Sequence, residues 1–390
     1  MTMYIHRGGT LHSELTSTKD RRANHSSAAP TRSRWWLVTA SAGAAVLALA
    51  ACSSSPGTPA ATTGSRGTVA RQANNGTTSS QDRLGNPAGV TIRFADQLKD
   101  IQTIVMANNA LQGAPYSVDW SQFTAGPPIV AAETGGSVDL GVMAETPTIF
   151  AQAAGDPIEV VAVSEGSPES TPFSIVVAPS SAIRSVSQLR GKTVAVQEGT
   201  TEQYILVRAL QEAGLPYSSV RIDNLNIVAG EAALESGRVD AYVTSEPLTS
   251  LMVEAGKGRV LPGGSAGTHY LQYITASRSA LANPDKRAAI VDLITRIFKA
   301  ETDDAKNPTQ GVQTYVKTYG VPLAVAQRAA ASVSILPAAI SPSTVEYQQQ
   351  EADTFQQLGL IPNHIDVNGL FDRTTNQQIM AAWNAARGGS

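Results

Sequence analysis

The chain has 390 residues, 42% hydrophobic and 16% charged, enough apolar material for one large or two medium cores. Its net charge of −3 is uneven: six basic and two acidic residues precede Cys52, leaving 23 basic against 30 acidic residues after it. A mildly acidic body without a basic stripe argues against nucleic-acid binding. A single cysteine excludes disulfides, thiolate metal clusters and dithiol redox chemistry inside the fold.

The N-terminus reads as an address. Arg32 and Arg34 precede an apolar run, 35–51, that ends Leu49-Ala50-Ala51-Cys52. A basic start, an apolar middle and small residues before a cut describe a secretory signal over residues 1–51. The run is too short and alanine-rich for a membrane span. Leu-Ala-Ala-Cys resembles the bacterial lipobox, which implies that Cys52 is lipidated and becomes the mature N-terminus. Residues 52–88 are rich in Ser, Thr, Gly, Ala, Pro and Asn, with Val69 and Leu84 as the only large aliphatics. Such a stretch cannot bury enough apolar surface to offset its ordering entropy, so it is expected to be a flexible tether.

From residue 90 strands and helices alternate. Strands are predicted at 90–95, 116–123, 138–143 and 158–163, separated by helices at 101–111, 129–134 and 148–154, with a further apolar run at 173–178. A second series follows: a strand at 193–197, a helix over 201–213 stopped by Gly214, and short strands at 220–225 and 241–244. Beyond the 269–275 run the pattern turns helical, at 286–305, 310–318, 323–332 and 344–358. The alternation predicts an α/β fold with parallel sheets.

The segment 132–147 (AETGGSVDLGVMAETP) is echoed by 234–247 (LESGRVDAYVTSEP). Allowing two one-residue slips, both read Glu, Thr/Ser, Gly, Val-Asp, strand, Glu, Pro. Two modules of one design, about a hundred residues apart, predict two similar lobes.

Helix N-termini at the carboxyl ends of strands carry orphan N–H groups and bind anions without a charged side chain. Three turns qualify. At 197–204, Gly199 permits close backbone approach, and Thr200 with Gln203 has the form of a capping box ahead of Thr201. At 143–147, Thr146 is the expected N-cap and Pro147 the first helical residue. Ser245-Glu246-Pro247 is its counterpart. Glu145 and Glu246 either face solvent as ordinary first-turn carboxylates or accept a hydrogen bond from a ligand or the opposite lobe. Gln97, at the end of the first strand, is a lone amide candidate. Histidines are sparse: only His269 and His364 follow Cys52, and no HExxH, CxxC or Walker A pattern is present. No cofactor, metal or catalytic residue is expected.

Several stretches carry a family likeness: 118–126 (VDWSQFTAG), 136–141 (GSVDLG) leading into 147–155, 189–196 (LRGKTVAV), 199–210 (GTTEQYILVRAL), 237–241, and 352–362 (ADTFQQLGLIP). In this order they resemble the substrate-binding proteins of ABC importers in the nitrate/sulfonate/taurine group, nearest the aliphatic sulfonate-binding, THI5-like branch. The resemblance implies a type II periplasmic-binding fold, with lobe 1 from residues 89–177 and 267–390, lobe 2 from 178–266, and hinge closure on a ligand. It implies ligand contacts at Gln97, Ala144, Glu145, Thr146, Ser170, Thr171, Gly199, Thr200, Thr201, Ser245 and Glu246.

One departure stands out. The family commonly has an aromatic-acidic-Pro-aromatic turn where this chain has Ser245-Glu246-Pro247-Leu248, and Glu145, Glu198, Glu202 and Glu246 leave the rim acidic. The expected protein is a monomeric, lipid-anchored extracytoplasmic receptor that delivers a sulfonate-like solute to permease and ATPase subunits. A zwitterion, nitrate, a thiamine-pyrimidine precursor or another heterocycle are competing ligands. The rival classes are an enzyme on the same fold and a sensory or adhesive lipoprotein.

Overall fold

The computed structural model describes residues 84–167, 170–264 and 269–388. The expected signal, Cys52 and nearly all of the tether lie outside the described residues. Two sheets organise the body. In the six-stranded sheet, β1 (Thr91–Gln97) lies between parallel neighbours β2 (Ser117–Phe123) and β3 (Leu140–Ala144). Beyond β3 come β10 (Leu271–Ser277), β4 (Ile158–Gly166) and β11 (Ile335–Ala338), each antiparallel to the one before. In the five-stranded sheet, β6 (Thr193–Val196) lies between parallel neighbours β7 (Arg221–Asn224) and β8 (Ala241–Ser245). The strand β5 (Phe173–Val177) runs antiparallel to β8, and β9 (Arg259–Val260) closes the edge.

The chain therefore changes sheets between β4 and β5 and returns between β9 and β10. Strand β5, which a boundary at 177 would leave with the first lobe, belongs to the second sheet. Its five residues are all buried, as an apolar run covered on both faces requires.

Helices α1 (Asp100–Ala107), α2 (Gly126–Thr134), α3 (Thr146–Ala154), α8 (Pro284–Lys306), α11 (Pro342–Gln357) and α12 (Arg373–Gly388) cover the first sheet. The 23-residue α8 supplies its largest apolar face: Ile290, Leu293, Ile294, Ile297 and Phe298 are buried, and Phe298 meets Trp383 of α12 edge-on at 5.7 Å. Each such side chain contributes about 1.5–3 kcal/mol on burial. Helices α4 (Thr201–Glu212), α5 (Ile227–Glu235) and α6 (Leu248–Glu254) cover the second sheet. The pair α9 (Pro308–Tyr319) and α10 (Leu323–Ser332) extends from α8 to α6, where Arg328 meets Glu254 at 2.8 Å.

The echoed sequences fold as the same unit, helix, Gly turn, strand, in both sheets. In each, the aspartate pins a neighbouring strand: Asp139 accepts the Arg93 N–H of β1 at 3.0 Å, and Asp240 accepts the Thr193 N–H of β6 at 2.8 Å. The return bonds, Asp139 N–H to Arg93 C=O and Asp240 N–H to Thr193 C=O, are both 2.8 Å.

Candidate functional site

A cleft of about 330 Å³ lies between the two sheets, within the range of small-molecule sites. Gln97, Ala144 and Pro147 line it from the first lobe, and Thr200, Thr201 and Ser245 from the second. The lobes also touch on its flanks. Gly199, at φ +74°, lies against the other lobe: a β-carbon there would stand 3.6 Å from Pro127 Cγ and 3.8 Å from the Phe150 ring. Tyr204 of α4 packs on Phe355 of α11, ring centres 5.8 Å apart.

The second-lobe wall is rich in donors. Helix α4 begins at Thr201 in the sequence Thr-Glu-Gln, with no proline in its first turn; the Gln203 N–H donates to the Thr200 carbonyl at 3.0 Å, which leaves the N–H groups of Thr201 and Glu202 without a backbone acceptor. The Thr201 hydroxyl is buried without a hydrogen-bond partner and lines the cleft. The expected capping box does not form. Thr200 Oγ1 donates to the Gln197 carbonyl at 2.7 Å, and Gln203 Oε1 instead accepts the Gly199 N–H at 2.8 Å. Gly199 is thus occupied in positioning the turn and in the contact with the other lobe, and Thr201 presents the open hydroxyl.

The first-lobe helix starts are poor in donors. Helix α2 opens Gly126-Pro127-Pro128 and α3 opens Thr146-Pro147, so three early positions have no N–H. Gly126 is required by close packing, since a β-carbon would fall 2.3 Å from Pro147 Cγ. Helix α1 is already capped: the fully buried Asp96 accepts N–H bonds from Ile101 and Gln102. Leu98 and Lys99, both left-handed at φ 57° and 67°, form the tight turn that brings Gln97 and Leu98 to the cleft.

Other expected contacts lie elsewhere. Glu145 and Thr146 are fully buried behind the cleft wall. Thr146 is not a cap; its hydroxyl donates to Glu351 of α11. Both Glu145 carboxyl oxygens lack a hydrogen-bond partner. Burial, and then the neighbouring Glu351, push the Glu145 carboxyl well above its ordinary range. Ser170 and Thr171 stitch the first crossing to the strand after α10. The Ser170 hydroxyl donates to Ser334 C=O at 3.2 Å and the Thr171 N–H to Ser332 C=O at 2.9 Å. Glu246 does face the cleft and also accepts the Ser250 N–H at 3.3 Å.

Sequence reasoning misses the wall furnished by the C-terminal half: Gln272 of β10, Glu301 and Asp304 of α8, and Tyr315 and Tyr319 of α9. Only the 3.6-residue spacing of Glu301 with the apolar face of α8 hints at burial. Among the described residues no lysine, arginine or histidine lines the cleft, while Asp100, Glu202, Glu246, Glu301 and Asp304 do. Burial raises each of these carboxyls: Asp100 to about 6, against a hydrogen bond from Tyr319, and Glu301 to about 7, against one from Ser164. Among the described residues no group of His, Cys, Asp and Glu is arranged to hold a metal, and no helix is long and apolar enough to cross a membrane.

A family model described as NMT1/THI5 like matches residues 125–305. A protein of Escherichia coli (strain K12) named for binding aliphatic sulfonates is 32% identical over 291 residues, which cover 71% of this chain and 86% of that protein. The chain belongs to the aliphatic sulfonates-binding protein family. Among solved structures of this family, the alkanesulfonate-binding protein of Xanthomonas axonopodis pv. citri, bound to MOPS, superposes with a TM-score of 0.66 at 26% identity. That match covers 74% of this chain and 99% of the other. A desulfurization enzyme, at 11% identity and a TM-score of 0.58 over 76% of this chain and 99% of its own, shares the fold alone.

Proposed function

We propose that this family member is the extracytoplasmic receptor of an ABC importer, held to a membrane by lipid on Cys52, and that it traps a small sulfonate-bearing solute between its lobes. The observation that carries the reading is the start of α4 at the cleft. Proline-free N–H groups at the positive end of a helix dipole, beside the open Thr201 hydroxyl, suit a tetrahedral anion. The two crossings between the sheets support closure by rotation of one lobe on the other, which would present a distinct surface to a permease. The sulfonate-binding relatives support the solute class. A binding rather than catalytic role is favoured because the described residues of the cleft offer carboxyls, amides and hydroxyls but no histidine or cysteine nucleophile.

Isothermal titration of the purified chain with ethanesulfonate, taurine and nitrate tests this. One solute bound per chain, with about a tenfold loss in Thr201→Val, is the expected result for removal of one charge-assisted hydrogen bond. Thr200→Ala combined with Thr201→Ala should lose no less and keep the fold. Absence of saturable binding by any sulfonate sinks the proposal.

A further inference from the structure

The first-lobe wall has a chemistry opposite to that of α4. Glu301 is 3% exposed and Gln272 8% exposed, both line the cleft, and Oε1 of each lacks a hydrogen-bond partner. Both neighbour Ser164. Gln272 lies in register with Ser164 across the β10–β4 pair, so both side chains leave the same face of the sheet. The Ser164 hydroxyl donates to Glu301 Oε2 at 2.8 Å, which fixes that carboxyl and leaves its other oxygen open. A buried acceptor without a donor costs roughly 1–3 kcal/mol, so two of them at the wall of a cleft are explained by a donor that arrives with the ligand. Asp304, one turn further along α8, and Asp100 add carboxyls, while Tyr315 and Tyr319 supply aromatic faces. No basic side chain among the described residues of the cleft can serve as the partner.

We infer that Glu301 and Gln272 form a subsite for a protonated amine, so that the solute carries an ammonium group as well as the anion received at α4. This rests on the reading of the cleft as a sulfonate site and narrows it to amino-sulfonates. Bipolar placement accounts for the carboxyls of the first-lobe wall, Asp100, Glu301 and Asp304, while Glu202 and Glu246 stand on the second-lobe side. Burial holds the Glu301 carboxyl near 7, and an ammonium at its open oxygen would favour the ionised form.

The test is titration of the full chain with probes paired by length: ethanesulfonate against 2-aminoethanesulfonate, and propanesulfonate against 3-aminopropanesulfonate. In at least one pair the amine should bind at least tenfold tighter, and Glu301→Gln should reduce that preference to threefold or less. Gln keeps an acceptor for Ser164, and Gln272→Met provides a second variant; thermal unfolding confirms that each is folded. Equal or weaker binding of the amine in both pairs, or a preference that survives both substitutions, overturns the subsite. Should no sulfonate bind, propylamine alone separates the two readings. Saturable binding lost in Glu301→Gln upholds the amine subsite while the sulfonate reading falls, and no binding of propylamine overturns both.

Discussion

The two echoed modules share a backbone plan and differ in what is packed upon them. In the first, Asp139 is 1% exposed and holds Arg93 and Lys286, each at 2.7 Å, and the strand leads into Glu145, sealed under α11. In the second, Asp240 is 35% exposed with Lys192 at 3.5 Å, and the strand leads into Glu246 at the cleft. The motif dictates the strand and its pin. The fate of the glutamate that follows is decided by the outer layer: α11 packs on α3 and covers Glu145, whereas α10, which packs on α6, leaves Glu246 at the cleft. One signature therefore yields a structural carboxyl in one place and a cleft carboxyl in the other.

The largest expected effect sharpens the contrast between the aspartates. Asp139→Ala leaves Arg93 and Lys286 without their shared carboxylate and frees the Arg93 N–H. Because both cations are partly exposed, the loss should be about 2–3 kcal/mol rather than the full cost of a buried pair. Asp240→Ala should cost under about 1 kcal/mol. Urea denaturation measures both, and equal losses would break the comparison.

Next come the buried carboxyls. Burial pushes Asp96 and Glu301 to about 7 and Glu133 to about 8, with Glu145 and Glu351 raised as well. The native state thus keeps protons that the unfolded chain releases above about pH 4. Stability should fall as pH rises from there through these native values, leaving the protein more heat-resistant at pH 5.5 than at pH 8. Asp139 works the other way. Burial opposes its ionisation, but Arg93 and Lys286 prevail and hold it below its ordinary value, so its contribution is lost only as pH falls below about 4. Glu145→Gln should raise stability at pH 8 by about 1–2 kcal/mol and flatten the pH profile, as thermal melts at both pH values would show. The smallest expected change in stability is for Glu246→Gln, within about 0.5 kcal/mol, although titration should show its solute affinity altered. A Glu246 variant that melts early while binding normally would reverse the roles assigned to the two glutamates.

Much of the fold was legible because its strands are short apolar runs between Gly and Pro, and because the Val-Asp pin recurs. Helices α5, α6 and α12 were missed. Helix α5 (IVAGEAALE) is small and weakly sided, α6 has seven residues, and the polar first turn of α12 resembles a loop. The α4 corner of the cleft was foreseen, since Gly-Thr-Thr after a strand is a local signal. The Gln272–Glu301 wall was not. It depends on β10 inserting between β3 and β4, and on Ser164 selecting one oxygen of a glutamate 137 residues away. Glu145 was ambiguous for the same reason: nothing local reports that Thr146 and Glu351 will meet.

The prolines that open α2 and α3 have a consequence for how cargo is seated. Where Pro127, Pro128 and Pro147 stand, the main chain cannot grip an oxyanion, whereas the facing helix can. A guest turned end for end would bring its negative head to rings and carboxyls and its tail to amide hydrogens. On the proposed reading, the polarity of loading is set jointly by these imino positions and by the Glu301–Gln272 wall.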